Sequence, residues 1–256
     1  MSETASYAAS ESTTTSGPSA AKTAQPEKPV TVVLVHGAWA DASSWNKVIP
    51  VLLAKGMTVL AVQNPLTSLA DDVAAAKRII ASAKGDVVLV GHSWGGTVIT
   101  EAGADPKVTA LVYVSAFGND AGESGNALIG AYPKPPELSA VVSDGAGFVT
   151  STTEGFIENI APDLPISEAR TLAVTQGPLA VRTFDESPSV AAWKTKPSWF
   201  VVSADDRTIS PELQAAVAKR MKAKTTVLQS SHMSLLSHPL AVSEVIEEAV
   251  HFAQKQ

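Results

Sequence analysis

The sequence predicts an α/β fold in which helices cover both faces of a mostly parallel, doubly wound sheet. From residue 30 onward, short runs rich in β-branched residues alternate with helical patterns, as in chains built from strand–helix–strand units. One such run, VVLV at residues 87–90, leads into a glycine-flanked serine, and a stretch without proline follows. That order of a buried strand, a tight turn and a helix supports the same fold class.

Six strands and five helices follow from this pattern. The strands are predicted at Thr31–His36, Thr58–Gln63, Asp86–Gly91, Val108–Ser115, Ser198–Ser203 and Thr225–Gln229. The helices are predicted at Ser44–Ala54, Leu69–Ala83, Trp94–Ala104, Pro211–Lys222 and Pro239–Ala253, the last two beginning with a first-turn proline. In such a sheet, active groups gather on the loops beyond the carboxyl ends of the strands.

Residues 118–196, called the insertion below, interrupt the alternation. They are rich in proline and glycine and contain only short amphipathic pieces such as Ser167–Val174. We predict an inserted helical lid. Its large apolar residues either line a pocket or pack the lid onto the sheet; they are Leu128, Tyr132, Phe148, Phe156, Ile160 and Trp193.

Residues 1–29 differ in composition from the rest of the chain. They are mainly Ser, Thr, Ala and Pro and bury too little apolar surface to offset the entropy of ordering. We predict a disordered tail before a single domain at residues 30–256. A basic start and an apolar core, which mark a signal peptide, are missing, so we expect a cytoplasmic protein, with export as the alternative.

Composition excludes several classes of function. The 256 residues carry a net charge of −6 without a run of Lys or Arg, which argues against binding nucleic acid or an anionic membrane. No apolar window approaches the roughly 18 residues that span a bilayer. The chain has no cysteine, so disulfides, thiolate metal sites and a cysteine nucleophile are excluded. We expect a soluble enzyme without metal or cofactor, and a homodimer stays open.

Ser93 is the candidate nucleophile. A serine on a sharp strand-to-helix turn is held in strained geometry with its hydroxyl exposed, and only small residues fit close to it. Its base must be a histidine on a loop after a strand. The late loop QSSHMS supplies His232. The other four histidines fit less well; they are His36, His92, His238 and His251.

The acid that orients the histidine is sought on a loop after a strand between serine and histidine. Asp205 and Asp206 both directly follow the strand predicted at Ser198–Ser203, and the pattern alone barely separates them. Asp120, after the strand that ends at Ser115, is a further alternative.

Acyl transfer also needs two backbone N–H donors for the oxyanion. The amide after the nucleophile, Trp94, is the first candidate. Ala38, in the HGAW loop after the first strand, is the second, because Gly37 permits close approach. We expect His36 in the same loop to hydrogen-bond within the loop rather than to perform chemistry.

Four motifs in order, VLVHGAW, GHSWGG, ADDRTI and SSHMSLLSHP, resemble the α/β-hydrolase superfamily across about residues 30–254. Within it the chain is similar to the branch of plant methylesterases, hydroxynitrile lyases and small bacterial esterases. The resemblance implies the α/β-hydrolase fold and a Ser93–His232–Asp206 triad, and so favours Asp206 over Asp205.

The lyases of this branch place threonine where this chain has Gly37 and lysine where it has Met233. Without those two groups the resemblance implies a serine esterase that cleaves small to medium apolar esters through an acyl-enzyme. Gly37, Met233, Trp39 and Phe117 are the pocket candidates. Two alternatives use the same scaffold: a small-molecule receptor, and a cofactor-free perhydrolase or haloperoxidase.

Overall fold

A computed structural model of the protein describes residues 1–2 and 28–256. The predicted tail therefore lies almost wholly outside the described residues. The strands are β1 (Val30–Val35), β2 (Thr58–Val62), β3 (Asp86–His92), β4 (Val108–Val114), β5 (Val141–Ser143), β6 (Phe148–Ser151), β7 (Leu179–Ala180), β8 (Ser198–Ser203) and β9 (Lys224–Leu228). The helices are α1 (Val48–Ala54), α2 (Leu69–Ser82), α3 (Trp94–Ala102), α4 (Gly125–Gly130), α5 (Thr153–Gly155), α6 (Ile166–Thr175), α7 (Pro211–Met221), α8 (Ser234–Ser237) and α9 (Pro239–Gln254).

The main sheet has six parallel strands in the order β2-β1-β3-β4-β8-β9. Helix α2 packs against α3 and α1 against α9, and both pairs pack on the sheet. Because helices cover the sheet, its central strands are buried along nearly their whole length, as is typical of parallel sheets. The predicted α/β fold class is confirmed. None of the helices in the described part of the chain is long and apolar enough to cross a membrane.

The predicted helix Ser44–Ala54 is wrong at its beginning. The structure has a 3₁₀ turn at Ala42–Trp45 and starts α1 only at Val48. The Asp41 carboxylate accepts from the Ser43 amide at 2.6 Å, and its carbonyl accepts from the Ser44 hydroxyl at 2.8 Å. These local bonds cap a separate turn, which competes with a continuous helix.

The sequence predicts a helical insertion, but the structure shows that the insertion also contains strands. Besides α4, α5 and α6 it contains an antiparallel sheet in the order β5-β6-β7. Its strands have two to four residues, which is too short for a periodic pattern to stand out. The Trp39 indole N–H donates to the Val149 carbonyl at 3.0 Å, so this small sheet is tied to the loop after β1.

Gly96 lies where the first turn of α3 passes the loop after β4. A Cβ at this position would lie 2.1 Å from the Phe117 carbonyl oxygen, a backbone atom that cannot rotate away. We expect Gly96→Ala to lower the free energy of unfolding by roughly 1–3 kcal/mol, measured by urea denaturation. The control is Gly130→Ala, where an added Cβ meets no atom within 4 Å; equal losses in the two variants would contradict this packing argument.

Candidate active site

Ser93 joins β3 to α3 in a strained backbone conformation. Its φ is +53° and its ψ is −122°, a region that residues other than glycine rarely occupy. The turn is held on both sides, since the Ser93 amide donates to the Val114 carbonyl at 3.2 Å and the Ser93 carbonyl accepts from Gly96 and Phe117. A side chain at Gly91 would meet the Gly95 carbonyl at 2.5 Å. This geometry is the sharp strand-to-helix turn that the sequence predicts at Ser93.

His232 and Asp206 form a buried pair. His232 Nδ1 donates to Asp206 Oδ2 at 2.7 Å, and both residues are at most 5% exposed. The remaining lone pairs of the carboxylate accept from the amides of Thr208 and Ile209 at 2.7 and 3.0 Å and from Gln214 Nε2 at 2.7 Å. The carboxylate is therefore fixed by four hydrogen bonds and holds the ring by one of them.

The two alternative acids lie elsewhere. Asp205 is exposed to solvent next to the buried pair. Asp120 forms an ion pair with Lys194 at 2.5 Å, and that salt bridge lowers the pKa of Asp120. Of the three acids that the sequence offers, the structure brings Asp206 to His232.

The loop that carries His232 is held from two directions. His92 Nε2–H donates to the His232 carbonyl at 3.0 Å, and the two rings lie 4.7 Å apart. From the insertion, the Asp163 carboxylate accepts from the Ser231 amide at 2.8 Å and from the Ser231 hydroxyl. Burial lowers the pKa of His92 well below its ordinary 6.5, so this ring stays neutral and acts as a hydrogen-bond donor.

The residues predicted to donate to the oxyanion, Trp94 and Ala38, both lie close to Ser93. Trp94 is the first residue of α3, so its amide has no carbonyl partner one turn earlier in the helix. Ala38 lines the same cavities as Ser93, and the next residue, Trp39, has a φ of +56°. A Cβ at Gly37 would lie 2.6 Å from the Ser93 Cβ, which shows how close the loop after β1 comes to the serine.

Of the other three histidines, His36 and His238 are hydrogen-bonded to neighbouring groups. His36 Nδ1 donates to the Gly37 carbonyl at 2.8 Å, the bond within the loop that the sequence predicts, and its Nε2 accepts from the Asn64 amide after β2 at 2.9 Å. His238 bonds the Ser237 hydroxyl at 2.9 Å. His251 is exposed on α9.

Two cavities meet at Ser93. The first encloses about 460 Å³, its opening to solvent included, and is lined among others by Ala38, Trp39, Ser93, Phe156, Ile160, His232 and Met233. The second encloses about 370 Å³ on the same basis and is lined by Ala38, Trp39, Ser93, Trp94, Phe117, Ile129, Glu137, Leu138, Phe184, Thr208 and Ile209. Of the large apolar residues predicted for the insertion, Phe156 and Ile160 line a cavity at the serine. Trp193 is buried and donates to the Asn119 carbonyl at 2.8 Å.

Sequence reasoning missed several polar residues that support the site: Asp72, Glu137, Asp163 and Gln214. For Asp72 a signal exists, because it shares one face of α2 with Leu69, Val73, Ala76 and Ile80 at helical spacing. The others depend on contacts distant in sequence and leave no local pattern. Within residues 28–256 no three His, Asp or Glu side chains are grouped to hold a metal ion.

Asp72 fixes the Trp94 side chain. Its Oδ2 accepts from the Trp94 indole at 2.7 Å and its Oδ1 from the Leu66 amide at 2.8 Å. Burial raises the pKa of Asp72 to about 6, although both hydrogen bonds lower it. The exposed neighbour Asp71 behaves in the opposite way, because hydrogen bonds from Ser68 and Thr67 lower its pKa.

These opposite shifts predict opposite pH effects on stability. Between pH 3.8, its ordinary pKa, and about pH 6, Asp72 keeps its proton in the folded chain and loses it in the unfolded chain. Its contribution to the free energy of unfolding therefore falls as the pH rises. Asp71 contributes stability that is lost as the pH falls. Urea unfolding from about pH 2.5 to pH 8 should show two changes in the free energy of unfolding. Asp72→Asn should remove a fall between pH 3.8 and about 6, and Asp71→Asn should remove a rise that lies below pH 3.8. Slopes of the same sign would contradict the assignment.

Comparison with known proteins shows the family of the chain. Residues 32–245 match the family described as "Alpha/beta hydrolase family". The chain belongs to this family. It is 27% identical over 242 residues to "Probable hydrolase R7" of Phoma sp., covering 85% of this chain and 96% of the relative. It is 28% identical over 203 residues to "Methylesterase 8" of Arabidopsis thaliana, covering 71% and 74%.

Among solved structures, a pyrethroid hydrolase from Sphingobium faniae JZ-2 superposes with a TM-score of 0.74 at 20% identity, over 87% of this chain and 98% of that one. The shared fold agrees with the topology described above. The predicted membership of the α/β hydrolases is thus confirmed, and the named relatives are hydrolases and esterases, as the sequence predicts for this chain.

Proposed function

We propose that the protein is a serine hydrolase of carboxylic esters that works through an acyl-enzyme on Ser93. The observation that carries this proposal is the buried His232–Asp206 pair, joined at 2.7 Å, whose histidine lines the same cavity as Ser93. Relatives named as hydrolases and esterases support the same reaction class.

The proposed mechanism follows from the tautomer that Asp206 fixes. With Nδ1–H donated to the carboxylate, His232 Nε2 is left with a lone pair that takes the Ser93 proton. The serine oxygen attacks the ester carbonyl, and the Ala38 and Trp94 amides stabilise the oxyanion. His232 then protonates the leaving alcohol, and a water activated by the same nitrogen releases the acid.

Hydrolysis is favoured over cyanohydrin cleavage by the space around Gly37. Since even a Cβ at this position would lie 2.6 Å from the Ser93 Cβ, the threonine of the related lyases cannot be placed here without moving the serine. Met233, buried in the wall of the first cavity, offers no charge to a departing cyanide.

The cavity walls favour small to medium apolar esters, with one arm of the substrate in each cavity. We expect steady-state hydrolysis of p-nitrophenyl esters of graded acyl length, with kcat/KM rising and then falling as the cavity is filled. Methyl esters of aromatic acids form the second series. A protein that cleaves neither series would contradict the proposal, and a single burst without turnover would instead support the receptor alternative.

The cytoplasmic location and the homodimer stay predictions. Cell fractionation tests the first, and light scattering of the purified chain tests the second. A small-molecule ester is the partner that the proposed reaction requires, and none of the proposed steps uses a cofactor.

A further inference from the structure

Glu137 is a buried acid whose carboxyl group has no well-formed hydrogen bond. It lies in the insertion, in the 3₁₀ turn Pro136–Ser139, and is 1% exposed. Within the described part of the chain, neither of its carboxyl oxygens accepts a hydrogen bond. Burial raises the pKa of Glu137, while the polar side chains of Ser151 and Asn159, which approach the carboxyl group without well-formed hydrogen bonds, and the charge of His232 lower it. A buried carboxyl group without a well-formed hydrogen bond destabilises the folded chain, and a ligand that pairs with it would remove this cost.

The surroundings of Glu137 connect it to the proposed reaction. It lines the second cavity, which Ser93 also lines. Its backbone amide donates to the Arg207 carbonyl at 3.1 Å, one residue after the proposed acid Asp206. The position of Glu137 is therefore fixed relative to the triad, and a ligand that reaches the serine through this cavity passes close to it.

The lining of the second cavity offers the carboxylate no positive charge. No Lys, Arg or His is among its residues, and aromatic rings form much of the wall; they belong to Trp39, Trp94, Phe117 and Phe184. Aromatic faces attract cations, and a buried carboxylate gains most from a charged N–H donor. His232 is close enough for its charge to lower the pKa of Glu137, but it is bonded to Asp206 and lines the first cavity. A cation that pairs with Glu137 inside the second cavity must therefore come from the ligand.

We propose, on the basis of the ester hydrolysis argued above, that Glu137 makes the second cavity a binding site for esters that carry a protonated amine. The ammonium N–H donates to the carboxylate, the rings enclose its methyl groups, and the ester carbonyl is left at Ser93. The acid thus selects substrates and takes no part in bond making.

The test uses two pairs of esters that differ only in N⁺–H against C–H. One pair carries the amine on the acid side: methyl 4-(dimethylaminomethyl)benzoate and methyl 4-isobutylbenzoate. The other carries it on the alcohol side: 2-(dimethylamino)ethyl benzoate and 3-methylbutyl benzoate. Dissociation constants are measured by calorimetry at neutral pH on Ser93→Ala, so that binding is observed without turnover.

In at least one pair we expect the amine to bind about tenfold to a hundredfold more tightly than its carbon analogue, the range for a hydrogen bond to a charged group. Combining Glu137→Gln with Ser93→Ala should abolish this preference. Glu137→Leu is the second variant if the Glu137→Gln protein does not fold. The control is Glu154→Gln, because Glu154 is an exposed acid of the same insertion and should leave the preference intact.

Two results would overturn the proposal: neither pair shows a preference for the amine, or the preference survives the loss of the Glu137 carboxylate. Hydrolysis of the two carbon analogues by the unmodified protein is measured in parallel. Because hydrolysis of the carbon analogues does not require the Glu137 carboxylate, this measurement distinguishes a failure of ester hydrolysis from a failure of amine recognition.

Discussion

Ser93→Ala is expected to lower the turnover of any ester substrate by roughly 10⁶-fold, because a triad acts as a unit and its nucleophile has no substitute. The strained turn around residue 93 is formed by backbone bonds to Val114, Gly96 and Phe117, so alanine should leave the fold intact. The measurement is kcat with the best p-nitrophenyl ester, after circular dichroism has shown equal folding.

Ser82→Ala is the control for this prediction. Ser82 is an exposed serine at the end of α2 whose hydroxyl bonds only the Ile79 carbonyl in the described structure, and its loss should leave kcat within about twofold, as for a surface change. Near-full ester hydrolysis by Ser93→Ala would contradict the role of this serine.

Asp206→Asn is expected to lower kcat by about 10⁴-fold, the cost of presenting the wrong tautomer of the histidine to the serine. An amide NH₂ in place of Oδ2, which accepts from His232 Nδ1 at 2.7 Å, would push the ring proton to the other nitrogen. The adjacent Asp205→Asn is the matched control, because that side chain is exposed and its loss should change kcat less than twofold.

The outcome for these neighbours decides a question that the sequence left to resemblance. A larger loss in Asp205→Asn than in Asp206→Asn would contradict the geometry of the acid–base pair. Since the Asp206 carboxylate also accepts from Gln214 and two backbone amides, folding of both variants is checked by urea denaturation before rates are compared.

Local sequence patterns predicted the parallel sheet and its crossover helices because the central strands are rich in apolar β-branched residues and the segments between them have a helical period. They also predicted Ser93 and His232, since the glycine-flanked turn and the loop after a late strand are readable in short windows. The choice of Asp206 over Asp205 needed the resemblance, because two consecutive aspartates on one loop look alike until tertiary packing exposes one of them.

The rest of the site depends on contacts between residues that are too far apart in the sequence to form a local pattern. Gln214 reaches Asp206 from α7, and Asp163 reaches Ser231 across 68 residues. The strands of the insertion were missed because they are two to four residues long. Glu137 lies in a proline-rich stretch without a periodic pattern, and only the packed structure buries it against the cavity.

The most direct test of an acyl-enzyme on Ser93 is to trap this covalent intermediate. The protein is mixed with p-nitrophenyl acetate, quenched in acid within milliseconds, digested and analysed by mass spectrometry. We predict an acetyl group on Ser93, formed at the rate of the p-nitrophenol burst and absent from Ser93→Ala. An acetyl group that forms at that rate on another residue, or turnover without any acylated serine, would contradict it.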